Sequence, residues 1–256
     1  MDGSPSIGGI EGANGGAIVA AEGMTNGTQP SIYVAVNPNT TANSLSATAT
    51  IVFIGVDDAG SGVKVGEGQV TLNAGEENGT LTTNDVGVLG SNPFINSPYT
   101  VVNGVFSTSS LSGSISADGD LIVASDITNG ENRGITIFVI QGSGVTTATF
   151  RGVYRIAEYG ANENGANSLT NIEAALVTIY ADGNGNFTYT ETTNAAGTVT
   201  TGSGGGTYSV TSNGTLTLTP TGSQSFVGAI SADGNVLVLA DIGAGDRPEG
   251  FVGVRQ

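Results

Sequence analysis

Short runs of alternating apolar and polar residues, broken by Gly, Asn and Asp, recur along the whole chain and predict β-strands rather than helices. Leu216 and Leu218 point one way while Thr215, Thr217 and Thr219 point the other. Phe150, Gly152, Tyr154 and Ile156 share one face of a strand whose other face carries Arg151, Val153 and Arg155. Val236–Ala240 (VLVLA) is apolar on both faces, which predicts a strand covered on both sides. Helical periodicity is weak, and only Ser168–Ala175 could hold a short helical turn.

The alternating runs repeat. Leu111–Ile127 (LSGSISADGDLIVASDI) matches Phe226–Ile242 (FVGAISADGNVLVLADI), and each leads into a closing strand, Gly134–Gln141 and Gly250–Gln256. A more worn copy, Ile7–Gly23 followed by Ser31–Val36, opens the chain. The period of about 110 residues is too long for a solenoid rung and suits one small all-β domain. Upstream, Ala47–Val56 matches Thr147–Ile156, Gln69–Asn84 matches Leu176–Thr193, and Pro98–Thr108 matches Thr207–Thr219.

The fold expected is all-β: antiparallel meander repeats of about eight strands, each closed as a small barrel or folded as a two-sheet sandwich. A five-bladed β-propeller is the alternative, since serine-x-aspartate-glycine turns also join propeller strands. Closure removes sheet edges, which favours eight strands as a unit. The expected division is a partial repeat of three strands over residues 1–37 and full repeats over 38–142 and 143–256. Asn103-Gly104, Asn213-Gly214, Asp118-Gly119 and Asp233-Gly234 are expected as two-residue hairpin turns with positive φ at both positions.

Because it opens partway through a repeat, the chain is expected to be a fragment of something longer. Three strands are then left over, and they should either complete a sheet within the chain or pair with a neighbouring molecule.

Gly152–Tyr154 (GVY) and the late Arg255 resemble the lipocalin-like barrels, which carry glycine-x-tryptophan in the first strand and an arginine in the last. Tyrosine replaces the tryptophan here, and the first full repeat has Gln141 at or near the arginine position.

Composition narrows the chemistry. Six Lys+Arg stand against 22 Asp+Glu, a net charge of −16, so no basic face for nucleic acid can form and attraction to an anionic membrane is not expected. No apolar run is long enough for a spanning helix. The chain has no His, Cys or Trp, which removes zinc, haem and iron–sulfur ligation and His-dependent nucleophilic catalysis.

Asp182, Asn184 and Asn186 (ADGNGNF) have the alternate spacing of oxygen ligands in calcium loops, and Asp57-Asp58 lies in another joint. The loop matching Asp182, Glu76-Glu77-Asn78, lacks that alternation. No cofactor is expected apart from calcium at the Asp182 loop. Glu22, Asp126 and Asp241 end equivalent strands, with Arg133 and Arg247 in the following loops, a pattern that predicts a carboxylate–arginine clamp. Paired acids can hydrolyse glycosides, but no acid pair lies near aromatic residues in the sequence. Lys64, in a Gly-rich connection, is the only candidate for an isopeptide cross-link, and Asn-x-Thr triplets such as Asn213–Thr215 could carry glycans.

The function expected is non-enzymatic: an extracellular or cell-surface structural or adhesive module that self-associates or meets neighbouring repeats. The alternative is a binding module holding a small apolar ligand or a glycan in or on a barrel. Large side chains meeting at the axis, among them Phe150, Tyr154, Phe187, Tyr208 and Phe226, would fill the barrel, and small ones would leave a pocket.

Overall fold

The structure, a computed structural model, describes residues 7–11, 17–22, 31–56, 63–85, 88–127, 134–161, 172–195, 198–241, 243 and 247–256. Among them every element is a β-strand except a 3-10 turn at Thr147–Thr149. The strands form three antiparallel sheets of rising completeness.

The second full repeat is a closed barrel of eight strands in meander order: β13 (Arg151–Ala161), β14 (Ile172–Asp182), β15 (Asn186–Ala195), β16 (Thr198–Val210), β17 (Thr215–Pro220), β18 (Phe226–Ile230), β19 (Val236–Ala240) and β20 (Glu249–Arg255). Pairing of β13 with β20 closes it, Tyr154 lying opposite Arg255. The propeller alternative is not needed. Ile172–Ala175 begins β14, so that part of the expected helical turn is strand, and the rest lies outside the described residues.

The first full repeat has the same winding: β4 (Ala47–Val56), β5 (Val63–Asn73), β6 (Glu76–Asp85), β7 (Val88–Pro98), β8 (Thr100–Val102), β9 (Val105–Ser107), β10 (Leu111–Ile115), β11 (Leu121–Asp126) and β12 (Gly134–Ile140). Its nine strands form one curled sheet with β7 and β8 at the ends, separated in sequence by Tyr99 alone. In the other copy the corresponding run is the single long strand β16. Tyr99 and Tyr208 confirm the correspondence, because their amides bond the carbonyls of Gly75 and Gly185, each at 2.8 Å. The hydroxyl of Tyr99 donates to Leu45 O at 2.5 Å and that of Tyr208 to Phe150 O at 2.6 Å.

One strand match shifts. Ala49 faces Ile140 as Tyr154 faces Arg255, so the partner of Ala47–Val56 starts beyond Thr147. Thr147–Thr149 is spent on the 3-10 turn, which lies against the hairpin glycines Gly183, Gly185 and Gly234 at one end of the barrel. Turn chemistry also differs from expectation. Only Asn103-Gly104 has positive φ at both positions (50° and 78°), whereas at Asn213-Gly214, Asp118-Gly119 and Asp233-Gly234 the glycine alone does. At Ser231–Gly234 the first turn position keeps negative φ because the Ser231 hydroxyl, which donates to Asp233, accepts the amides of Asn235 and Val236 and holds a wider turn.

The leading strands β1 (Ile7–Glu11), β2 (Ala17–Glu22) and β3 (Ser31–Val36) make a separate sheet in the order β1-β2-β3. They complete neither of the other sheets. Ala17 and Val19 of β2 instead enter a hydrophobic cluster shared with the outer faces of both repeats, where Val52, Ile137, Val238 and Val252 are fully buried. The two-sided apolar strand is explained here: Leu237 and Leu239 face the barrel interior while Val238 and Ala240 face this junction.

Candidate functional site

The two repeats use their interiors differently. In the first, Phe106, Phe138, Leu72 and Ile122 pack into a buried cluster, with Tyr99 stacked on Phe106 at 5.4 Å between ring centroids. In the barrel, large side chains fill only the end beside the 3-10 turn. Phe150 contacts Tyr154 (4.6 Å) and Tyr208 (4.8 Å, edge-on). The Tyr154 hydroxyl donates to Gly234 O at 2.7 Å and accepts from the Arg255 side chain, and burial pushes its acid dissociation up to about 12. Tyr154 and Arg255 thus meet on the first and last strands of the barrel.

Toward the opposite end the interior opens into a cavity of about 780 Å³. Its deeper wall is apolar, with Ile156, Ile179, Phe187, Leu218 and Leu239, and Phe226 lies against Phe251 at 4.6 Å. Its upper wall is acidic. The inward face of β13 runs Tyr154, Ile156, Glu158, Gly160, so the strand alternation that buries the first two carries Glu158 into the cavity. Glu158 sits in register between Ala175 and Phe251, and Gly160, nearer the end, sits between Glu173 and Glu249. A Cβ on Gly160 would fall 2.7 Å from the Glu249 side chain, so the glycine is what allows the flanking acid to lean inward.

Further round the same wall, Gly202 and Gly204 of β16 do the same for Glu191 and Tyr189 of β15. Cβ atoms there would fall 2.4 Å from a Glu191 carboxylate oxygen and 2.8 Å from the Tyr189 ring.

The carboxylates of Glu158, Glu173 and Glu249 converge, with one oxygen of each within 4.8 Å of the others, and all three residues are buried. Arg247 bridges two of them, at 3.2 Å to Glu173 and 3.0 Å to Glu249. Glu158, only 8% exposed, accepts no hydrogen bond among the described residues. Burial, and then the charges of Glu249, Glu173 and Glu191, hold its carboxyl well above the usual range, against a smaller opposing effect of Arg247.

Several expected residues lie elsewhere. Asp182, Asn184 and Asn186 form the β14–β15 turn. Asp182 Oδ1 accepts the amides of Asn184 (2.7 Å) and Asn186 (3.0 Å), and Oδ2 accepts the Asn186 side chain (2.9 Å). Those donors hold its carboxyl below the ordinary value. The carboxylate is engaged in shaping the hairpin. Arg247 clamps acids of the barrel wall, while Asp241 Oδ1 accepts the Gly243 amide at 2.9 Å. Lys64 belongs to strand β5 rather than to a loop. Asp57-Asp58, Arg133 and the side chain of Glu22 lie outside the described residues.

The acid cluster was missed because its members are far apart in sequence and meet only through β13–β14 and β13–β20 pairing. A signal was present: Glu158 continues the apolar Tyr154–Ile156 face, as Glu249 continues that of Phe251. An acid on a core face marks a cavity or a partner. The acids also converge beside Tyr189 and Phe251, an aromatic setting that linear proximity had not indicated.

No protein-family model matches the chain, and no curated protein matches it. A crystal structure of a protein of unknown function from the DUF3598 family of Nostoc punctiforme PCC 73102 is similar to it, at 13% identity over 82% of this chain and 96% of that one, with a TM-score of 0.27.

Proposed function

We propose that the closed barrel is a binding module for a small, largely apolar ligand held in its interior. The observation that carries this reading is the cavity of about 780 Å³, which falls in the size range of sites that enclose small molecules. Its apolar depth supplies burial energy and its few polar groups supply orientation. Filling the lower end with Phe150, Tyr154 and Tyr208 makes a rigid floor, so the cavity exists before a ligand arrives. We read the role as binding without turnover. The chain has no His or Cys, and Glu173, Glu158 and Glu249 stand on adjacent strands of one wall rather than facing each other across a substrate.

The test uses the full chain and the neutral fluorophore N-phenyl-1-naphthylamine. Fluorescence should rise saturably on titration. Val177→Phe, which fills the cavity from β14, should weaken binding by about tenfold or more, since it removes the burial on which affinity depends. An unchanged fluorescence with wild type, or equal binding by Val177→Phe, overturns the reading.

A second reading rests on a different observation. The sheet β1-β2-β3 presents β1 and β3 as edges, with main-chain groups able to accept another strand. That favours self-association of an adhesive or structural module. The acidity and the Gly/Thr/Asn/Ser-rich strands fit an extracellular or cell-surface setting for either role.

A further inference from the structure

We propose that the ligand of the barrel carries an organic cation, an ammonium or guanidinium group on an apolar body, with the charged head seated on Glu158 between Glu173 and Glu249. This rests on the binding reading above and deepens it. Three carboxylates converge within 4.8 Å, and Arg247 bridges two of them, Glu173 and Glu249. The third, Glu158, has no hydrogen-bond donor among the described residues, is 8% exposed and lines the cavity. A buried carboxylate with no donor is costly, and a charge-assisted hydrogen bond from a ligand would relieve that cost. Glu191, on β15 beside the strand that carries Glu173, adds to the same negative field.

The chemistry discriminates among ligands. A fatty acid or any other anion would bring its charge among four glutamates. A bare sugar would place hydroxyls against Ile156, Phe251 and Leu239, which offer no partner. An amine with an aryl or alkyl body satisfies both, its head on Glu158 and its body against the apolar wall of Ile156, Leu239 and Phe251. Arg247, whose Nη1 contacts both Glu173 and Glu249, shows that this wall accepts a cation.

The experiment is calorimetric titration of the full chain near neutral pH with three ligands of one shape: 2-phenylethylamine, 2-phenylethanol and 3-phenylpropanoate. Wild type should bind the amine about tenfold or more tightly than the alcohol, and the carboxylate least. Glu158→Gln should erase the preference for the amine while keeping the alcohol and the neutral fluorophore. The ranking on wild type needs no variant, and a melting curve checks that the variant folds.

Equal binding of amine and alcohol, strongest binding of the carboxylate, or a preference that survives Glu158→Gln overturns the proposal while leaving the cavity reading intact. Binding of calcium or manganese ions alone, lost in Glu158→Gln and displacing the amine, overturns it in favour of a metal centre. If neither the fluorophore nor any of the three ligands binds, the cavity reading falls and takes this one with it.

Discussion

Two glutamates show how much a single buried acid can decide. Glu77, near the start of β6, is buried, and that burial pushes its carboxyl up to about 7 from an ordinary 4.5. A raised acid binds its proton more tightly in the folded chain than in the unfolded one. Its effect on stability is therefore absent below about pH 4.5, grows as pH rises through the window up to about 7, and stays unfavourable above it. Glu77→Gln should leave the melting temperature nearly unchanged at pH 4.5 and raise it by a few degrees at pH 8. Equal shifts at both pH values would show that the carboxyl is not the cause. Glu158 is raised in the same direction, with Glu249, Glu173, Glu191, Arg247 and Tyr189 around it. If an ammonium group binds there, it favours the ionised form, so binding should release protons over whatever pH range the free carboxyl is still protonated in. Titration in buffers of different ionisation enthalpy reads that release directly.

At the scale of elements, the hairpins joining β10 to β11 and β18 to β19 were legible because everything they need is local. Ser116 donates to Asp118 at 2.5 Å and accepts the Leu121 amide at 3.0 Å. Ser231 donates to Asp233 at 2.7 Å and accepts the Val236 amide at 3.0 Å. One serine thus satisfies buried backbone donors that the turn would otherwise orphan, which is why the ISADG phrase survives in both copies. Ser231→Ala should cost about 1–3 kcal/mol in urea unfolding, the usual cost of leaving buried donors unpaired. A loss below a few tenths would mean that water replaces the hydroxyl.

What was not legible is what the hairpins cannot encode. Closure depends on β13 meeting β20, and nothing in Arg151–Ala161 alone names Glu249–Arg255 as its partner. The cavity was hidden for a similar reason: the glycines at Gly160, Gly202 and Gly204 read as loose strand until the acids and the tyrosine beside them are placed. The aromatic residues expected to choose between a filled and an open barrel do both, because Phe150, Tyr154 and Tyr208 form the floor while Phe187 and Phe226 line the cavity.

For the whole molecule, the deciding feature is that three copies of one motif bury the same outer face against one another. Ala17 and Val19 of β2, Leu121 of β11, and Val238 and Ala240 of β19 all enter one cluster. A further tie crosses from β6 to the other repeat, where the buried Asn84 side chain donates to Asp241 O at 3.2 Å. The leading sheet is therefore part of the packing, and the chain just after it is bonded into the first repeat through Asn37 O, which accepts the Ala117 amide at 2.8 Å. Deleting residues 1–37 removes this cover and uncovers apolar side chains of both repeats. The truncated chain should melt several degrees lower. If the edges of β1 and β3 also recruit other molecules, light scattering should show the full chain as an assembly and the truncated chain as a smaller species. An unchanged melting temperature would mean that the leading sheet contributes nothing to the junction, and an unchanged particle size would remove self-association through β1 and β3, leaving β7 and β8, the ends of the nine-stranded sheet, as the other open edges among the described strands.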